Sequence, residues 1–117
     1  MVQSPNCVNP DLMGFYATST RTITVCKENA QKRRKDFDEI VKHEFVHFVY
    51  DLKGPGFSVF SEADLTNLVR ETIPSEEALF VIIAERQYQR DEEFTARLLS
   101  QLPNEKFVNW ARQTLGI

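Results

Sequence analysis

A chain of 117 residues and 13.6 kDa has room for one ordinary domain, 1–117, and little for a second. Its 42% hydrophobic and 26% charged residues exclude a disordered tail and point to a folded core. With 14 Lys and Arg against 17 Asp and Glu, the net charge of −3 lacks the basic surplus that grips a phosphate backbone, so no nucleic acid is expected as a partner.

The first dozen residues, with Pro5, Asn6, Asn9 and Pro10, read as irregular chain. MVQSPNCVNP carries neither the basic nor the apolar stretch of a secretory leader. No apolar run reaches the roughly 18 to 20 residues of a membrane span. The expectation is therefore a soluble, intracellular chain without a membrane span. Cys7 and Cys26 are the only cysteines, so at most one internal disulfide can form. Their spacing is far from C-x2-C, which disfavours a structural zinc site built from them.

From Gly14 to Cys26 the chain is aromatic and β-branched around a polar Ser19-Thr20 turn, which predicts a β-hairpin. In its second arm Ile23 and Val25 alternate with Thr22 and Thr24, as a half-buried strand requires. Cys26, closing that arm, reads as a small buried residue or as the disulfide partner of Cys7. From about Ala30 the pattern turns helical, opening on the basic run Lys32 to Lys35 as a solvated start. Phe37, Ile40, Val41, Phe45, Phe48 and Leu52 then recur at threes and fours until Gly54-Pro55-Gly56 ends the helix.

Ser61 with Asp64 in the capping-box position starts a short helix to about Thr72. A long helix is predicted from about Glu76 to Gln101, stopped by Pro103, and Asn104 caps a last amphipathic helix. The fold class expected is α+β: a small N-terminal hairpin packed on a central helix, with a helical C-terminal half.

Both histidines of the chain lie in His43-Glu44-Phe45-Val46-His47. On a helix turning about 100° per residue, positions four apart lie one above the other, so both imidazoles can meet one metal ion. Glu44 projects about 100° away from His43, where its carboxylate can take a proton from a zinc-bound water. The HExxH pattern at this spacing points to a zinc site with a general base beside it. Zinc needs a third protein ligand, and with no His left the later helix offers Glu76, Glu77, Glu85, Asp91, Glu92 and Glu93. On a straight helical wheel Glu92 lies nearer than Glu93 to the apolar face marked by Phe80, Ala84, Tyr88, Leu98 and Leu102. Tyr16 and Tyr88 are candidates to donate a hydrogen bond to a developing oxyanion.

The run GFYATSTRTITVCKENAQKRRKDFDEIVKHEFVHFVYD, from Gly14 to Asp51, resembles the zinc metallopeptidase family of the mitochondrial ATP-synthase-processing protease. That family carries a G-x-Y hairpin, a strand ending in Cys and then HExxH. Its later E-x-R-A-x-x-L-S segment is similar to Glu93 through Ser100. The E-x-x-A pattern running into Leu98, Leu99 and Pro103 is also similar to gluzincin regulators of the ImmA/IrrE type. The resemblance implies a zincin-like minimal domain, Zn2+ as cofactor and Glu93 as the third ligand beside His43 and His47. The activity expected is that of a zinc metalloendopeptidase acting on a protein or peptide substrate, held along the hairpin edge, with Glu44 as general base. The alternative is a non-proteolytic zinc-binding regulatory or assembly module. The oligomeric state is not legible in the sequence.

Overall fold

Two short strands, β1 (Gly14–Ala17) and β2 (Thr22–Val25), form the antiparallel hairpin in the computed structural model, which describes residues 5–85 and 87–117 apart from the side chains of Pro5, Gln87 and Tyr88. Gly14 stands opposite Val25 and Ala17 opposite Thr22. Cys26 N–H donates to Met13 O at 2.7 Å, which places Phe15 and Ala17 in the following hydrogen-bonded pairs. The backbone groups of Gly14 and Tyr16 therefore point to the outer edge of β1.

Six helices follow among the described residues: α1 (Lys27–Lys32), α2 (Phe37–Lys53), α3 (Glu62–Thr72), α4 (Ser75–Ala84), α5 (Gln87–Leu99) and α6 (Asn104–Leu115). With the small sheet they make an α+β architecture. None is long and apolar enough to cross a membrane.

The helix expected from about Ala30 is two helices. Lys35 N–H bonds to Ala30 O and Arg34 N–H to Gln31 O, closing α1 with Arg34 in the left-handed region at φ 55°. Asp36 then caps α2, its side chain accepting from Asp38 N–H. The basic run thus closes α1 and turns the corner instead of opening the central helix.

The long helix expected over 76–101 is also two. Glu85 is extended (φ −115°, ψ 148°), and its carbonyl accepts from Arg90 Nε at 2.8 Å. The break lets two unlike sequences face different ways: α4 is apolar nearly all round, whereas α5 is amphipathic. α3 begins and ends as its punctuation requires, with Ser61 Oγ accepting from Asp64 N–H.

Two apolar clusters meet on α5. Val46 of α2 packs with Ala96, Leu99 and Phe107, while Leu65, Ile73 and Val81 pack with Phe94. Ala96 is fully buried, and its short side chain lets α5 lie close along α2. α5 therefore buries two sides, and a third edge is left to face the histidines.

The N-terminal segment is pinned to α1. Cys7 and Cys26 are joined in a disulfide with Cα atoms 5.4 Å apart, and Cys26 is also completely buried. The amide Nδ2 of Asn29 lies 2.9, 2.9 and 2.8 Å from the carbonyl oxygens of Cys7, Asn9 and Leu12. One buried amide thus meets three carbonyls of this stretch, whose only regular structure among the described residues is a 3-10 turn over Pro5–Val8.

Candidate metal centre

α2 holds the pair of histidines on a rigid element, because its buried residues Ile40, Val46 and Val49 fix the helix against the hairpin and α5. The rings of His43 and His47 are 5.2 Å apart between centroids and meet edge-on, one helical turn apart. One donor atom from each of His43, Glu44 and His47 lies within 4.8 Å of the other two, so this group could hold a metal ion.

α5 brings a second carboxylate to the same place. Glu93 Oε1 is 3.0 Å from His43 Nε2, and Glu93 Oε2 is 3.1 Å from His47 Nε2. Glu92, on the adjacent face of the helix, takes the other nitrogen of His47, with Nδ1 2.6 Å from its Oε2. Both acidic residues weighed on the sequence are therefore at the histidines, in different roles. Glu93 faces the two nitrogens that share a polar space, whereas Glu92 orients one ring from behind. A wheel drawn through residues 76–101 misjudged this because the chain bends at Glu85; Phe80, assigned to the buried face, is 64% exposed.

The carboxylates hold the site electrostatically. Burial acts to lower the His47 pKa, but the hydrogen bonds to Glu92 and Glu93 outweigh it and push the ring up to about 10. Burial likewise works against a charged Glu93, yet the bonds from His43 and His47 carry its carboxyl far below the usual range.

Glu44 differs from both. It is 7% exposed, makes no side-chain hydrogen bond among the described residues, and burial raises its pKa. Its carboxylate lines a cleft with Gly14, Tyr16, His47 and Glu93. The group thus opens onto the cleft and is not sealed in the core.

The hairpin closes one wall. A Cβ on Gly14 would lie 2.8 Å from Ile40 Cγ2 and 2.9 Å from Thr24 O, so only glycine lets β1 sit this close to α2. Tyr16 packs edge-on against Phe48, and its hydroxyl donates to Asp51 Oδ2 at 2.6 Å. Burial and this bond push the Tyr16 hydroxyl up to about 12. Tyr16, expected as a donor to an oxyanion, thus has Asp51 as its acceptor. The Tyr88 side chain lies outside the described residues. Glu85 lines the same cleft and Glu77 a neighbouring one, and among the described residues neither forms an ion pair with an imidazole.

One feature escaped the sequence reading: the contact of Glu92 with His47 Nδ1. Glu93 also pairs one turn along its own helix with Arg97, whose Nε lies 3.2 Å from Glu93 Oε1, as their spacing allows. The chain matches no protein-family profile, no curated protein and no solved structure.

Proposed function

We propose that the chain is a small zinc-dependent peptidase of the HExxH type, with His43, His47 and Glu93 as the metal ligands and Glu44 as general base. The single observation that carries this reading is Glu93: from another helix it sets one oxygen 3.0 Å from His43 Nε2 and the other 3.1 Å from His47 Nε2. Ligands about 2.0 to 2.1 Å from a tetrahedral ion stand about 3.3 Å from one another, so a Glu93 oxygen this close to an imidazole nitrogen is within reach of the same ion. Two imidazoles and a carboxylate are also the donor set that suits zinc with one position left over. Glu44 belongs to the same group of close donors, but as the residue beside His43 with a carboxyl raised by burial it is better matched to exchanging protons.

When bound, zinc would polarise a peptide carbonyl and make water acidic at neutral pH. The chain's own residues then divide the work. Glu92 fixes the His47 ring by accepting from Nδ1, which leaves Nε2 to face Glu93. The Glu44 carboxylate accepts the proton of the attacking water and returns it to the leaving amine. The outer edge of β1, with the free backbone groups of Gly14 and Tyr16, lines the cleft and can take an extended peptide as an added strand. The likeness of residues 14–51 to the ATP-synthase-processing protease family supports the same reading.

A second reading, a zinc-binding assembly module without peptidase activity, draws on α4. Its Leu79, Phe80, Ile82 and Ile83 are all exposed, which is unusual for contiguous large apolar side chains. Peptidase assays on the zinc-loaded chain and on Glu44→Gln separate the two. Turnover of an unfolded protein substrate that disappears in Glu44→Gln, with metal content unchanged, supports the enzyme. Turnover retained in that variant removes Glu44 from the base role.

A further inference from the structure

The two oxygens of Glu93 are not equivalent. Oε2 lies 3.1 Å from His47 Nε2, whereas Oε1 lies between His43 Nε2 at 3.0 Å and Arg97 Nε at 3.2 Å. Arg97 is held in that position from its far side, because its Nη1 pairs with Glu77 on α4. Glu93 and Arg97 are one helical turn apart and largely shielded, at 16% and 23% exposure. Little side-chain entropy remains to be lost, and the contact is weakly screened.

We infer that Arg97 is a positioning residue that makes Glu93 a one-oxygen ligand. A charge-assisted hydrogen bond from the guanidinium draws on the electron density of Oε1 and holds that oxygen away from the ion. Oε2 is left as the ligating atom. A carboxylate free of such a donor can bind a cation through both oxygens, and the second would fill the coordination position that an attacking water needs. The Arg97–Glu93 contact thus keeps the site open beside Glu44, which separates a catalytic centre from a closed structural one. This inference rests on the reading of His43, His47 and Glu93 as metal ligands.

Cobalt(II), loaded in place of zinc, tests it by visible absorption. The wild-type chain is expected to show the strong bands of four-coordinate cobalt. Arg97→Met, which keeps the apolar stem and loses the donor, should fall several-fold in intensity to the five-coordinate pattern. Arg97→Lys, which retains a donor, should recover the strong bands, and Glu77→Gln, which loosens the tie to α4 but leaves Nε, should keep them. Unchanged bands in Arg97→Met overturn the role of Arg97, as does an equal loss in Glu77→Gln. Weak five-coordinate bands in the wild type overturn it even if Arg97→Met fails to fold. No cobalt bound by the wild type at all overturns the metal centre itself and this inference with it.

Discussion

Each of three carboxylates within reach of two imidazoles does something different, and burial and partners decide which. Glu93 is shared between His43 and His47, Glu92 lies behind His47, and Glu44 is buried with no side-chain hydrogen bond among the described residues. Removing Glu93 leaves an ion on two neutral imidazoles, so Glu93→Ala should abolish tight zinc binding. Glu92→Ala takes away an orienting group and should weaken affinity by about 10 to 100-fold, measured by chelator competition. Equal losses in both variants would erase the distinction between them. The His47 proton gives a pH dependence. Its pKa rises on folding from 6.5 to about 10, so the metal-free protein is stabilised fully below pH 6.5 and loses that contribution as pH climbs toward 10. Thermal melting of metal-free protein should accordingly fall across that range. Zinc binding at neutral pH should release protons, seen as a calorimetric heat that varies with buffer, since the ion needs a neutral ring. A melting temperature flat from pH 6.5 to 10 would contradict the assignment. His43, Glu44 and His47 were legible because HExxH is a local pattern on one helix. Glu93 was legible only through motif likeness, because its partners lie on α2, far away in sequence. The Tyr16 hydroxyl shows the limit: its acceptor, Asp51, follows from the packing of β1 on α2 and not from spacing.

Elements with local punctuation could be read from sequence, and those ended by tertiary demand could not. The hairpin and α3 follow from alternation and from Ser61, close to where the structure has them; Asn104, expected to cap α6, is instead its first residue, with Pro103 in the cap position and the Asn104 amide donating to Asp38. The corner after α1 has no glycine or proline; Arg34 occupies the left-handed position instead, at φ 55°. That conformation costs an L-residue about 1 to 2 kcal/mol. Arg34→Gly should therefore stabilise the protein by about 1 kcal/mol in urea unfolding, and a loss of stability would show that the Arg34 side chain contributes more than the strain it causes. The break at Glu85 has no local signal either: it satisfies α4 and α5 separately, each turned to its own cluster. At the other wall of the cleft, Gly14→Ala forces a methyl group against Ile40 and the Thr24 carbonyl. Overpacking of this kind costs about 1 to 3 kcal/mol, and the hairpin should move away from α2. A crystal structure of the variant with β1 unmoved and an unchanged melting temperature would contradict the close-approach argument.

At the scale of the molecule, two apolar clusters, one disulfide and one polar centre share a small chain, and α5 belongs to all but the disulfide. The Cys7–Cys26 bond was one of two readings left open by sequence, because it depends on the irregular segment folding back onto Asn29. Closing a loop with a sequence separation of 19 residues contributes about 3 kcal/mol, chiefly by restricting the unfolded chain. Reduction should lower stability by that order, and the oxidised protein should show no free thiol on titration. The central claim is that one cation joins α2 to α5 through His43, His47 and Glu93. Calorimetric titration of the purified, metal-free chain with Zn2+ tests it most directly, run beside His43→Ala and Glu93→Ala. The account expects one ion per wild-type chain and the loss of tight binding in both variants, with circular dichroism showing each still folded. Undiminished binding in folded Glu93→Ala would contradict it, placing the third ligand elsewhere, and no binding by the wild type would remove the metal centre altogether.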